Sequence, residues 1–356
     1  MTQPSPSSIV VDAAEKLLRD LADPQTLNHA QSDAWRSTLW AALEGSGIPL
    51  AWVAEEFGGS GVGMADGFAL LGLGGRYALP VPLAETMLAG WLLSQAAISC
   101  PDGPMTLAPV DPHDRLILNE DGTLNGQARA VPFSLRADHL AVLAQGAAGL
   151  HVALVKSSDC QHTPLSSLSD DDAASLTLDH VVPIALKPAP AHLSAQTLTI
   201  LGATARSMQI GGALQWMLTQ TVTYSTERIA FEKQISRFQA IQHNLARLAA
   251  ETAAAVTAAT SAAQALAMAR EWNTEIFLEA SAAKIRCAEA ATIGCAIAHQ
   301  VHGAIGFTAE HALHRFSLRA LAWREDFGNE TYWSIALGKA MASLGADQLW
   351  PLIASR

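Results

Sequence analysis

Charge is scarce in this chain: only 15% of its 356 residues are Asp, Glu, Lys or Arg, and half are hydrophobic. The charge present leans acidic, with a formal net value of -11. That balance argues against non-specific binding to nucleic acid or to an anionic membrane, while leaving room for a local basic pocket. No uninterrupted apolar run reaches the ~20 residues that a membrane span needs. The opening MTQPSPSS has neither a basic n-region nor an apolar h-region, so no secretion signal and a cytoplasmic location are expected. The four cysteines, Cys100, Cys160, Cys287 and Cys295, are scattered and form no CxxC. Free buried thiols in a reducing compartment are the reading.

Several catalytic signatures are missing as well. There is no G-x-S-x-G and no Cys/His nucleophile context. His299/His302 and His311/His314 are i, i+3 pairs, but no third ligand follows at metal spacing and HExxH is absent, so no metal is expected. Gly61-Val62-Gly63 is not a dinucleotide fingerprint. The third glycine would stand at Asp66, the next one is Gly67, and no clear strand precedes it. A tight turn that lets two helices approach closely explains these glycines more simply.

What is there is enough apolar material for two or three structural units. Helical periodicity covers residues 9–21, 31–43, 64–77 and 83–97. Cys100-Pro101-Asp102-Gly103-Pro104 then marks a boundary. The middle third changes character. Arg115–Leu118, the turn Asn119–Gly122 and Leu124–Val131 read as a hairpin. Short apolar runs follow at 137–144, 150–155 and 181–184, with a polar loop over 166–175. From Ala195 the pattern is helical again: 198–227, 238–272, 274–301, 310–323 and 330–349. The fold class is therefore α+β, mostly α. An N-terminal helical domain (1–104) precedes a small antiparallel β-domain (105–192) and a C-terminal bundle of long helices (193–356). A helix of about 35 residues spans ~50 Å at 1.5 Å per residue, and a rod that long asks for a bundle and a partner subunit.

Arg228, Lys233 and Arg237 place three cations in the connection between two of those helices. Read alone, the connection is either a solvated hinge or a place for an anion. Its wording is more specific. Arg228-x-x-Phe231-x-x-x-Ile235-x-x-Phe238-Gln239 resembles the Arg-x-x-Phe-Gly-x-x-Ile-x-x-Phe-Gln segment of the acyl-CoA dehydrogenase family. Gln300-x-His302-Gly303-x-x-Gly306-x-x-x-Glu310 resembles its Gln-x-x-Gly-Gly-x-Gly…Glu segment. Gly47-Ile48-Pro49, Glu55–Gly61 and Leu124-Asn125-Gly126…Ala137-Asp138 are similar to further family segments, in the right order.

The resemblance implies an FAD-dependent oxidoreductase that introduces a double bond α,β to an acyl-CoA thioester, working in a homo-oligomer or with a heteromeric partner subunit. An electron-accepting flavoprotein is the implied redox partner. It further implies cofactor contacts from Arg228, Phe231, Phe238, Gln239, Gln300, His302, Gly303, Gly306, Asn329 and Thr331. Arg228 can fork onto pyrophosphate oxygens, and the two glycines allow close backbone approach.

The chain departs from the family where chemistry is done. The usual base is a Glu before a Gly-Thr; here Gly328-Asn329 occupies that register and the base position is Phe327. Asp326 and Glu330 flank it and are the carboxylates available as a base. Glu330 could equally be a charge at a helix start. A second family location for the base corresponds to Gly202, with Arg206 one turn on as the polar group available to a substrate. Where the family holds the flavin ring, the chain has Ala108–Pro112 and Ala130–Phe133. Glu232 and Ala304 replace two motif glycines. These gaps resemble members built from two half-competent chains. The alternative implied is thus a catalytically incomplete, FAD-holding subunit of a heteromeric acyl-CoA dehydrogenase. Leu79–Thr86 is similar to short, divergent members that act on bulky acyl groups such as steroid side chains.

Overall fold

The computed structural model describes residues 6–354 except 31 and 170. The first region is helical: α1 (Pro6–Leu21), α2 (Pro24–Asn28), α3 (Ala34–Gly45), α4 (Met64–Arg76) and α5 (Leu83–Gln95). The short α2 was not expected. Asp23 starts it by accepting from the backbone N–H of Thr26 at 2.8 Å, with Pro24 at the first helical position. The helix expected from residue 31 begins at Ala34, and Gln31 lies outside the described residues. Between α3 and α4 the glycine-rich stretch is a set of turns. Gly47, Gly58 and Gly61 have φ of 72°, 94° and 63°, and a Cβ on Gly59 would lie 2.1 Å from the Val53 carbonyl oxygen.

Eight strands form one sheet: β1 (Met105–Ala108), β2 (Leu116–Leu118), β3 (Leu124–Pro132), β4 (His139–Gly146), β5 (Gly149–Lys156), β6 (Gln161–Leu165), β7 (Ala173–Val181) and β8 (Ala185–Pro188). Their order is β6-β7-β3-β2-β4-β5-β8, with β1 also beside β4. The hairpin expected at 115–131 is present, Leu116 facing Gly126 and Leu118 facing Leu124. Most pairings are antiparallel, but β1 and β2 both run parallel to β4. The apolar run at 181–184 is not a strand of its own; it is the end of β7 and the link to β8. The stretch expected as a loop over 166–175 already joins the sheet at Ala173.

The last region is a bundle of α6 (Ala195–Glu227), α7 (Gln239–Met268), α8 (Thr274–His302), α9 (Leu313–Trp323), α10 (Glu330–Leu344) and α11 (Ala346–Ala354). Ser194 and Thr197 make a reciprocal capping box on α6, and Asn273 caps α8. Trp272, expected inside α7, stands beyond its end and stacks on Trp91 of α5 at 5.7 Å. Gly345, at φ 82°, divides the expected final helix into α10 and α11.

Two of the contacts that join the regions fix how the helices and the sheet meet. The helix backbones of α4 and α6 touch directly. A Cβ on Gly75 would sit 2.0 Å from the Gln209 carbonyl oxygen, and one on Gly212 would sit 2.0 Å from that of Gly72. Thr86 of α5 holds β1, its hydroxyl donating to the Met105 carbonyl at 3.1 Å and accepting from the Met105 N–H at 3.0 Å. A core of buried side chains runs from the first helices into the sheet and the bundle, including Phe68, Met87, Leu107, Leu201 and Trp333.

Candidate functional site

The two motifs read from the sequence meet at one end of the bundle. Arg228 is the C-cap of α6, its N–H bonded to the Tyr224 carbonyl at 2.9 Å. A two-stranded hairpin follows, β9 (Ile229–Ala230) against β10 (Lys233–Gln234). Its turn residues Phe231 and Glu232 have φ of 52° and 65°, as a tight primed hairpin turn requires. Glu232 therefore takes the left-handed backbone conformation for which the family's glycine is suited. Tyr224, one turn before Arg228, stacks on His302 at 4.5 Å, and its hydroxyl donates to the His302 carbonyl at 3.2 Å. The end of α6 is thereby tied to the end of α8, where Gln300, Gly303 and Gly306 lie.

The individual residues differ in what they can offer. Arg228, Lys233 and Arg237 are exposed and make no ion pair among the described residues. Phe231 does not anchor anything within the chain: it is 90% exposed. Phe238 is half-buried, with the Lys233 Nζ 4.2 Å from its ring centroid. Gln239 and Gln300 are exposed, and the space around the Gly303 α-carbon is open at φ 65°. His302, expected among the cofactor contacts, turns inward instead. It is 3% exposed, and Nδ1 donates to the Ala298 carbonyl at 2.8 Å. Gly306 is also buried, a Cβ there meeting His302 at 3.1 Å. Its smallness serves packing as much as approach to a ligand.

The second candidate site holds the carboxylates. Arg206 of α6 is 1% exposed, with each of its three nitrogens partnered: it donates to Glu85 at 2.6 Å, to Asp326 at 2.8 Å and to Gln209 at 2.6 Å. Burial opposes its charge, but Glu85 and Asp326 together hold its pKa above the ordinary arginine value. Burial pushes the Glu85 carboxyl up, with Arg206 opposing. Every guanidinium nitrogen of Arg206 already has a protein partner, and Asp326 is committed to it. Glu330 is the first residue of α10, 3.8 Å from the Arg324 guanidinium, and suits the positive helix end. Asn329 caps that helix, accepting from the Tyr332 N–H at 3.0 Å and donating to Glu325 at 3.2 Å, so its side chain is occupied too. Thr331 is exposed.

Phe327 is buried, with φ 54°, and packs on Gly202: a Cβ there would be 2.3 Å from the ring. Its carbonyl accepts from the Trp333 indole at 3.0 Å. Lys284 of α8, fully buried, donates to the Trp323 carbonyl at 2.8 Å and the Asp326 carbonyl at 2.7 Å. Burial lowers its pKa to about 7. Sequence reading missed Lys284, which stands in no motif, and it included Glu85 in the Leu79–Thr86 segment without giving it a role. The loop after β1 is also closed down. Asp111 and Asp114 bind Arg129, and His113 meets Tyr332 of α10 edge-on at 5.6 Å.

A cavity of about 670 Å³ opens between the starts of α6 and α8 and the face of α10, lined by Arg115, Gln196, Asn273, Tyr332 and Lys339 among others. Nothing local in the sequence announces it, because it lies where three distant helices converge.

Comparison with known proteins bears on all of this. Residues 195–340 match the family model described as acyl-CoA dehydrogenase, C-terminal domain. The chain is 26% identical over 326 residues to the acyl-CoA dehydrogenase IpdE2 of Mycobacterium tuberculosis, covering 90% of this chain and 92% of that protein. Its fold is similar to a chain of the ChsE4-ChsE5 complex from Mycobacterium tuberculosis. There the TM-score is 0.83 at 23% identity, over 97% of this chain and 99% of that one. It is also similar to a chain of the Tcur3481-Tcur3483 steroid ACAD, with a TM-score of 0.81 at 25% identity over 95% and 98% of the two chains.

Proposed function

From the chain's membership of the acyl-CoA dehydrogenase family, we propose that it is the FAD-holding, base-lacking half of a two-chain acyl-CoA dehydrogenase. The observation that carries the reading is Phe327. The position of the family's base is filled by a buried phenyl ring seated on Gly202, and the neighbouring Asp326 is tied to Arg206.

FAD fits one end of this chain and not the other. Arg228, Lys233, Arg237, Gln300 and the open backbone at Gly303 present an exposed, cationic, hydrogen-bonding surface suited to a pyrophosphate. The place where the family seats the flavin ring is occupied by the chain's own contacts: His113 on Tyr332, and Arg129 on Asp111 and Asp114. The chain therefore serves a cofactor whose ring lies in a partner of the same fold. When bound, FAD supplies the hydride acceptor. The residues of this chain orient its far end, while the partner provides the carboxylate that takes the α-proton. The similarity to chains of the ChsE4-ChsE5 complex and of the Tcur3481-Tcur3483 steroid ACAD supports this division and a bulky acyl substrate.

The test is to purify the chain with a co-expressed acyl-CoA dehydrogenase chain that has an intact Glu-Gly-Thr and to count flavin per pair. One FAD per heterodimer, with turnover abolished by changing the partner's Glu, is expected. Stable FAD binding and acyl-CoA-dependent flavin reduction by this chain alone would overturn the proposal.

A further inference from the structure

We infer that His299, His302, His311 and His314 form an acid-sensitive latch on the segment Gly303–Glu310. Only its consequence for FAD rests on the functional reading above; the latch itself belongs to the chain alone.

The hydrogen bonds show what each ring nitrogen faces. The His302 Nδ1–H donates to the Ala298 carbonyl at 2.8 Å, leaving Nε2 as a lone pair that is buried and without a partner. Ser317 Oγ lies 2.8 Å from the His299 Nε2 and 3.3 Å from the His314 carbonyl. The His299 Nδ1 is buried beside the Gly306 backbone. His311 Nδ1 accepts from the Leu313 N–H at 3.1 Å, and His314 Nδ1–H donates to the His311 carbonyl at 2.8 Å. The rings are close: His302 lies 4.8 Å from His311, and His299 lies 4.5 Å from Phe307.

A proton added to His302 goes to a buried nitrogen with no acceptor, with the His311 ring 4.8 Å away. Burial, then His314, hold His299 below the ordinary histidine range, against the Gly306 backbone; His311 lowers it further. Burial also lowers His302 and His311. The neighbouring histidines of the cluster oppose protonation of these three rings. Titratable or charged groups on the packed elements include Tyr224 of α6, His29 of α2, Cys295 of α8, and Arg315 and Arg319 of α9, with Glu310 in the segment itself. The far side of the segment is held by neutral amides. Gln25 donates to the Glu310 carbonyl at 2.9 Å, and Asn28 donates to the Ala309 carbonyl at 2.7 Å. Protonation takes the His311 Nδ1 lone pair from the Leu313 N–H, and on His302 it buries an N–H that has no acceptor. Acid opens that side and leaves the α2 side as a hinge.

Hydrogen exchange on the full chain, corrected for the intrinsic pH dependence of amide exchange, tests this. Protection of amides 303–312 should fall about tenfold or more between pH 7 and pH 5, the window below the free imidazole pKa. Amides in the middle of α7 should not change. His311→Asn should flatten the dependence. If it folds poorly, His299→Gln should at least shift the midpoint. Unchanged protection in the native chain at pH 5, or the same loss in both variants, overturns the latch. In the co-purified complex, FAD should leave over the same pH interval. A segment that opens while FAD stays bound keeps the latch and removes the cofactor reading.

Discussion

The phenyl ring of Phe327 rests on the bare α-carbon of Gly202, so close that a Cβ there would intrude to 2.3 Å. These two residues, far apart in the chain, hold the two positions from which the resemblance leads one to expect a base. In this fold the positions are neighbours, and a single apolar contact fills both.

Gly202→Ala should therefore destabilise the chain by about 1–3 kcal/mol through overpacking. Phe327→Ala should make room for the new methyl group. In denaturant melts the double variant should be less destabilised than the sum of the singles. Additive effects would mean that the two residues do not meet.

Arg206→Met removes the buried cationic partner of Glu85 and should cost about 3–5 kcal/mol, as breaking a buried pair does. Adding Glu85→Met should recover much of that loss. A thermal melt in which Arg206→Met is neutral would contradict the partnered geometry around it and reopen a substrate role.

Lys284 gives a pH signature. Its folded pKa, about 7, is below the unfolded value of 10.5, so the unfolded chain holds more protons between those values. Its contribution to stability should rise as pH climbs from 7 towards 10. The two carbonyls lose nothing, because a neutral amine still has two N–H groups to give them. Lys284→Met should abolish that component and leave the Trp323 and Asp326 carbonyls unpaired, at about 1–3 kcal/mol each. Denaturant titrations of both proteins across this range provide the check.

Arg228→Ala should lower FAD retention in the two-chain complex while leaving the melting temperature of the free chain unchanged, since Arg228 is exposed and its backbone makes the cap. Flavin absorbance after gel filtration measures the first effect. Arg228→Lys should rescue only partly, because an ammonium lacks the fork.

Glu330→Gln should leave turnover of the complex within a few-fold. A loss of ~10²-fold or more, the scale for removing a general base, would make Glu330 catalytic.

Periodicity made the long helices and the β2–β3 hairpin legible, because each is a local pattern with its own start and stop. It did not reveal β7, whose sheet partners β3 and β6 are remote, or the break at Gly345, which interrupts an otherwise continuous apolar stretch. Motif reading brought Arg228 and Gln300 to one end of the bundle. It could not tell that His302 faces inward, since the direction of a side chain at a helix end depends on Tyr224 and His311. The cluster of Arg206, Glu85 and Asp326 was invisible for the same reason. Arg206 and Asp326 could be singled out one by one, but their pairing with Glu85 exists only once three separate segments come together.

The seam between α4 and α6 leaves no space for a side chain at Gly75 or Gly212, because what each α-carbon faces is backbone. No compensating change elsewhere can make that room, unlike at Gly202, where shrinking Phe327 would. Gly75 and Gly212 should thus be invariant in any homologue that keeps this helix pairing. Gly202 should instead vary together with position 327, and that pattern of constraint separates the scaffold of this fold from the part free to lose or regain a base.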